Sequence, residues 1–462
     1  YKEKYLLEVN GRYDGTSRFM KDQRWNFFPS FSLGWNVARE NFWKPLESVV
    51  NQFKLRGSWG ELGNQNTSNL YPFYEILPVK SNSGNWLVNG GKTNTADIPS
   101  LVSTLLTWER VRSFNVGFDF GAFSNRLTGS FDYFVRKTVD MVGPAPQLPL
   151  VLGIAPAIVN NADMKSYGFE IELSWRDRIG EVDYGVKFNL ADAQQKVVKY
   201  PNTTNAFNDW YAGKMSGEIW GYTSLGIAKT DEEMKEHLAS LPNGGQNQLG
   251  NKWGAGDIMY ADINGDGKVD GGKGTLADPG DQRIIGNSTP RYNFGLVLDA
   301  SYKGFDVSIF FQGVGKRDYA PIVGTNGAVF WGAVNNIWQS MAMEEHFDYF
   351  RPEGHPMGAN LNGYYPRPDF TSNKNHQVQT RYLQDASYIR LKNLQIGYTL
   401  PKQWINKLHI NRCRVYVSGD NLWTGTSLAS MFDPETLAAG DWGSGKTYPL
   451  SKVISFGLNV NF

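Results

Sequence analysis

Residues 167–175 read YGFEIELSW. Tyr167, Phe169, Ile171, Leu173 and Trp175 share one face of an extended strand. Gly168, Glu170, Glu172 and Ser174 share the other, because side chains alternate with a period of two. The same period recurs along the chain. Phe114, Val116, Phe118 and Phe120 repeat it, as do Tyr184, Val186, Phe188 and Leu190, and then Tyr292 to Tyr302. The positions between them repeatedly hold Asn, Asp, Glu, Lys and Gly. The pattern predicts about twelve strands: 4–14, 25–37, 51–62, 105–120, 126–138, 166–177, 183–195, 291–302, 304–313, 381–400, 409–420 and 451–462. A half-buried sheet in water alternates in the same way, so the period alone does not say what lies on either face.

The connections narrow the choice. RDRIG, YKGFD and GAFSN are short turns, whereas 138–165, 196–290, 314–380 and 421–450 are long links, and short and long alternate. An all-β, antiparallel transmembrane barrel with short periplasmic turns and long extracellular loops has this layout. The intervals Tyr167–Trp175 and Tyr292–Tyr302, at ~3.4 Å per residue and a tilt near ~40°, cover roughly 20–26 Å along the normal. That is the height of the lipid-facing band between two aromatic girdles. The chain closes on ISFGLNVNF, with Ile454, Phe456, Leu458, Val460 and Phe462 on one face. This ending is similar to the assembly signal of outer-membrane proteins. The expected arrangement is lipid on the aromatic face, a wet or plugged lumen on the carboxylate face, and a wall that is integral to a membrane.

Composition removes other classes. The 462 residues carry 46 basic and 45 acidic side chains, a balance that argues against a polyanion or nucleic-acid binder. The single cysteine, Cys413, excludes an intrachain disulfide framework. No apolar run reaches the ~18 residues of a membrane helix. LPLVLGIAPAIV at 148–159 is shorter, holds two prolines, and reads as a loop with apolar tips. TDEEMKEHLASL at 230–241 reads as one short loop helix, with Thr230 and Glu233 as a capping box. His237, His346, His355, His376 and His409 show no metal spacing. No nucleophile elbow or phosphate loop is present, so no enzyme is expected. RPEGHP at 351–356 reads as a turn-rich loop. Loop aromatics such as Trp210, Trp220, Trp253, Trp331, Trp338, Tyr364 and Tyr365 suit stacking on a ligand but more commonly pack their own loops.

One stretch carries coordination chemistry. DINGDGKVD at 262–270 lies within the long extracellular loop region 196–290. Asp262, Asn264, Asp266, Gly267 and the Lys268 carbonyl match positions 1, 3, 5, 6 and 7 of a calcium loop, with Asp270 at position 9. Position 12 is Lys273 rather than a bidentate Glu, and Asp281 is the candidate for the missing carboxylate. The expectation is a calcium-type loop over 262–281 holding one structural Ca²⁺. The alternative is a solvated Asn-Gly/Asp-Gly turn.

YLLEVNGRYDGTSRF, RWNFFPSFSLGWNV, NADMKSYGFEIEL, GDIMYADINGDGKVD, RIIGNSTPRYNFGLVLDASYKGFDVSIFFQG, SYIRLKNLQIGYTLP and VYVSGDNLW, in this order, resemble the SusC family of TonB-dependent outer-membrane transporters. The resemblance runs essentially end to end. It implies a 22-stranded barrel with an N-terminal plug, a SusD-like surface lipoprotein as lid, energy from the TonB system, and import of an oligosaccharide or peptide. In that family the acidic partner of the calcium-type loop follows directly; here the insertion GGKGTLADPG displaces it to Asp281. The sequence has no TonB box and no plug, so residues 1–462 are expected to form the C-terminal part of a longer barrel, with the N-terminal strands and plug elsewhere. Two other readings stay open: a passive porin-like channel closed by pairing 4–14 with 451–462, and a secreted calcium-dependent glycan-binding β-protein.

Overall fold

The computed structural model describes all residues except 68–69, 146–148, 150, 152, 155, 322–327, 333–341, 370–371, 407–408 and 438–446. Parts of the apolar stretch 148–159, and Trp338, therefore lie outside the described residues.

Twelve long strands form one antiparallel sheet in chain order. They are β1 (Tyr5–Gly15), β2 (Trp25–Asn36), β3 (Val50–Asn64), β4 (Glu109–Ala122), β5 (Leu127–Gly143), β6 (Val159–Ile179), β7 (Val182–Lys199), β8 (Arg291–Tyr302), β9 (Phe305–Lys316), β10 (Tyr388–Thr399), β11 (Arg412–Thr426) and β12 (Val453–Asn461). Each matches one predicted strand. The order begins at β1 and ends at β12. Among the described residues no helix is long and apolar enough to cross a membrane. The chain divides into two compact units, Tyr1–Glu170 with Ala193–Met215, and Ile171–Asp192 with Ser216–Phe462.

In the first unit, register keeps unlike faces apart. Tyr5 pairs with Trp35, Trp35 with Leu55, Leu55 with Phe118 and Phe118 with Phe131, which gives one apolar row. The row containing Glu8, Ser32, Ser58 and Asn115 is polar. On the polar face Arg56 makes paired bonds to both Asp119 and Asp132, at 2.8–2.9 Å. The β1–β2 and β2–β3 connections depart from the expected sorting by length. Thr16–Arg24 is the shorter, whereas 37–49 on the short-turn side holds two 3-10 turns, Val37–Arg39 and Asn41–Leu46. Glu40 between those turns ties them back to β1 and β2, accepting from Lys4 Nζ at 2.9 Å, the Tyr5 hydroxyl at 2.7 Å and Trp35 Nε1 at 3.3 Å.

In the second unit the rows are cleaner. Tyr184, Ala300, Val307, Ile396, Val417 and Phe456 follow one another across five strand pairs. One residue along, the row is Gly185, Asp299, Ser308, Gln395, Ser418 and Ser455. The β8–β9 turn is the tight hairpin that YKGFD predicts. Lys303 and Gly304 both take positive φ, 45° and 91°, as a two-residue turn matched to strand twist requires.

The long links of this unit build a structure of their own. Glu218–Gly221 pairs with Arg283–Asn287, Ser224–Ile227 with Ile258–Tyr260, and Asp318–Tyr319 with Gln384–Asp385. The predicted strand 381–400 starts only at Tyr388, because Gln384 and Asp385 are drawn into this loop sheet and Thr380–Tyr382 forms a 3-10 turn. The loop helix α1 (Asp231–Ala239) is present. Thr230 accepts from Glu233 N at 3.1 Å, and Glu233 bonds the N–H of Lys229, one residue earlier than in a standard box. Tyr222, Ile258, Tyr260, Phe330, Trp331, Phe350, Tyr365, Tyr382 and Phe432 pack into one aromatic core under these loops.

Candidate functional site

The loop core is pinned by buried polar groups from segments far apart in sequence. Asp257 is fully buried. Its carboxylate accepts from Arg367 Nε at 2.8 Å and Nη2 at 2.6 Å, from Lys374 Nζ at 2.9 Å and from Asn375 Nδ2 at 2.9 Å. Asn375 Oδ1 in turn accepts from Ile258 N, and the Tyr260 hydroxyl donates to the Lys374 carbonyl. The Lys374 ammonium also lies 5.0 Å from the Trp253 ring centre. Gln246, fully buried, accepts from Tyr260 N and donates to the Ile258 carbonyl. The 251–260 and 373–379 segments are thus joined by charge and amide bonds in a dry setting, where such bonds are strong when complete and costly when broken.

A second tie fastens the last loop to the wall. Arg390 on β10 is buried and donates to Asp433 and Glu435, each at 2.7 Å, and Lys392 donates to Glu435 at 2.6 Å. Leu428 and Phe432 of the same loop join the aromatic core.

The calcium-type loop is built as its residue types dictate. Asp262 accepts from Gly265 N at 2.7 Å and Gly267 N at 2.8 Å, which folds the chain around one carboxylate. Gly267 takes φ +80°, the left-handed conformation that position 6 requires. Asn264 Oδ1 accepts from Asp266 N, and Asp266 Oδ1 from Lys268 N. The structure brings Asp281 to this loop across the GGKGTLADPG insertion. Its buried carboxylate accepts from Ile263 N at 2.7 Å, Asn264 N at 3.3 Å and Asp270 N at 2.8 Å. Burial pushes the Asp281 carboxyl up, against the pull of those N–H groups. Burial acts on Asp270 in the same sense, but the Lys268 ammonium and Gly272 N–H hold it below its ordinary value. Lys268 itself bonds Asp270 and lies 3.8 Å from Asp266. The donor set is oxygen-only, with four carboxylates against one ammonium. Oxygen is the donor type that a hard cation takes, and in this structure the Lys268 ammonium offsets part of that charge at Asp270 and Asp266. Among the described residues no cluster of three or more His, Cys, Asp or Glu side chains is arranged around a metal position.

Other sequence candidates settle as packing. Trp331 and Tyr365 are each 1 % exposed in the aromatic core, and Trp253 and Tyr364 pack against it. Arg351–Pro356 is turn, closed by the Arg351–Asn360 bridge. His346 caps its own turn, accepting from Met343 N at 3.0 Å. The groups that organise the loops, buried Asp257, Lys374, His376 and Arg390 with the partly exposed Arg367, carry no local signal. Asp257 sits in GDIMYAD and Lys374 in SNKNHQ, and neither stretch reads as half of a buried pair.

The chain matches the family model described as "TonB dependent receptor-like, beta-barrel" over residues 1–422. It is 30% identical to TonB-dependent receptor P3 of Formosa agariphila, over 100% of this chain and 44% of that protein. Against the TonB-dependent receptor SusC of Bacteroides thetaiotaomicron the figures are 23%, 99% and 42%. Its fold is similar to that in the structure of the RagAB peptide transporter, with a TM-score of 0.74 at 22% identity, over 100% of this chain and 46% of that one. The chain thus spans less than half the length of these relatives.

Proposed function

Since the chain belongs to the TonB-dependent receptor-like β-barrel family, whose members are integral to the outer membrane of Gram-negative bacteria, we propose that it forms wall and outer loops of an active nutrient importer. The imported ligand is an oligosaccharide or peptide, the energy comes from the TonB system through a plug, and a SusD-like surface lipoprotein caps the loops. In this reading residues 1–462 are the C-terminal part of the barrel, and the N-terminal part of the same transporter supplies the remaining strands. The family is one of transporters and receptors rather than enzymes, and no side chain here is assigned a catalytic role.

The observation that carries the reading is the pairing of two features in one unit. A sheet with an apolar and a polar row on opposite faces is joined to long links that share one buried aromatic core. A passive channel needs the wall but not a built outer structure.

In the same reading the 262–281 loop is proposed to hold a structural Ca²⁺ through Asp262, Asn264, Asp266, the Lys268 carbonyl, Asp270 and Asp281. When bound, the ion would neutralise the carboxylates and rigidify the loop; the residues themselves shape the backbone.

The test is uptake of labelled oligosaccharides and peptides by cells that carry the full-length transporter, with and without a protonophore. Active import predicts accumulation that the protonophore abolishes. Uptake that continues unchanged, together with sugar permeation through the purified protein in liposomes, is the passive-channel outcome.

A further inference from the structure

The segment 373–379 is the keystone of the loop core. Lys374, Asn375, His376 and Gln379 are each 2 % exposed or less. Lys374, Asn375 and Gln379 reach out of the segment: Lys374 to Asp257 and the Asn251 and Lys252 carbonyls, Asn375 to Asp257 and Ile258, Gln379 to the Tyr260 hydroxyl. His376 does not. Among the described residues neither of its ring nitrogens has a hydrogen-bond partner. Its ring lies 4.4 Å from that of Trp331, whose own indole N–H is likewise buried without one, and Trp331 lies 4.7 Å from Tyr382.

A buried polar group left without partners is uncommon and costs stability, and an imidazole tolerates the site only while it is neutral. The surroundings offer an imidazolium little. Asp369 is the carboxylate whose charge reaches the ring, and it lies 3.8 Å from the Lys374 ammonium. Asp257 is taken up by Arg367, Lys374 and Asn375. His346, on the far side of Tyr365, is bonded to backbone at both nitrogens. Tyr365 and Tyr382 are phenols that burial drives further from ionising.

We propose that His376 is a proton-operated release for the outer loop assembly: protonation expels the 373–379 segment from the core and detaches it from the 251–260 segment. The affected contacts are the Asp257–Lys374–Asn375 bonds and the Tyr260 anchor, so opening is local to the loops and spares the sheet. Burial holds the imidazole down at about 4 in the folded loops, against the modest upward pull of Asp369. A free histidine titrates near 6.5. The open state therefore binds more protons between these values. Stability of the assembly is complete above pH ~6.5 and is lost as pH falls from there toward ~4. Between pH 7.5 and pH 5 the opening equilibrium should rise roughly 30-fold.

Hydrogen exchange on the full-length transporter in detergent or nanodiscs tests this, with rates corrected for the intrinsic effect of pH. Peptides covering 251–260 and 373–382 should lose protection about 30-fold on going from pH 7.5 to pH 5, while peptides from β8 to β11 should not. His376→Phe, which fills the site with an apolar ring, should hold protection constant over the same range. If the two loop peptides of the wild-type protein are equally protected at both pH values, the proposal is overturned. So it is if His376→Phe, or His376→Leu should the first variant misfold, opens with the same pH profile as wild type. Neither outcome depends on transport being active.

Discussion

The Lys374 ammonium lies 2.9 Å from Oδ2 of Asp257, and both side chains are out of solvent, at 1 % and 0 % exposure. The pair joins positions 117 residues apart and closes the loop core around Tyr260. Removing one member of a buried pair costs ~3–5 kcal/mol, because the survivor is left charged and unsolvated. Asp257→Ala should fall in that range, since it strands Lys374 and frees Arg367. Lys374→Met should cost less, because Arg367 keeps both carboxylate oxygens engaged. Protease susceptibility of the 251–260 and 365–380 stretches in the full-length protein measures this. Equal effects of the two substitutions would contradict the geometry.

The alternate rows make a second prediction. Leu296 pairs with Phe188 on one side and Phe311 on the other, so it lies in the apolar row that the proposed barrel turns to lipid. Asn293 pairs with Ala191 and Val314 on the opposite face. Leu296→Lys should cost ~2–4 kcal/mol if near the bilayer midplane, and Asn293→Lys far less. The contrast is read from denaturant titrations of the full-length protein refolded into vesicles. Similar costs for the two would mean that the faces are misassigned.

The wall was legible in the sequence because a strand writes its two environments into alternate residues. YGFEIELSW and RYNFGLVLDASY each carry their full register in one contiguous stretch, and the twelve predicted strands correspond to the twelve observed. The loops were legible only where the chemistry is local. Thr230 with Glu233, and Asp262 with Gly267, act within a few residues, and the spacing shows it. The Asp281 contact was inferable as a missing carboxylate but not as a backbone anchor for Ile263, Asn264 and Asp270. Asp257 with Lys374, Trp331 with His376, and Arg390 with Asp433 come together only through the tertiary fold, and no period or spacing announces them. Connection length was a weaker guide at β1–β3, where the turn holding Glu40 is longer than the loop opposite it.

Glu40 should make that turn resistant to acid. Its carboxyl is lowered to about 2 by the Tyr5 hydroxyl first, then by Lys4, with a smaller contribution from Trp35. A carboxylate depressed in the folded state adds stability that is complete above its unfolded value, near 4.5, and is lost as pH falls toward 2. Protection of the Lys4–Leu6 amides, with exchange rates corrected for the intrinsic effect of pH, should therefore be kept at pH 5 and be lost between pH 4.5 and pH 2. Glu40→Gln should remove that pH dependence. An unchanged acid profile in the variant would show that Glu40 does not hold this end of β1.

The 262–281 loop separates a metal's contribution from the backbone's. Asp266 contributes one oxygen to a local turn, through Lys268 N, and points its other oxygen toward the Asn264 amide at 3.2 Å. Asp281 instead holds three N–H groups from two arms of the loop. Asp281→Asn should loosen the loop whether or not calcium is present, because an amide cannot accept equally from all three N–H groups. Asp266→Ala should leave the calcium-free loop nearly unchanged and lose only the added protection that calcium gives to residues 262–272. Hydrogen exchange in chelator and in millimolar calcium, on wild type and both variants, distinguishes these effects. Oxygen ligands at ~2.3–2.6 Å should surround an ion in a structure determined in calcium. Identical wild-type exchange in chelator and in calcium would leave the loop as a turn held by its own carboxylates and by Lys268, with no ion.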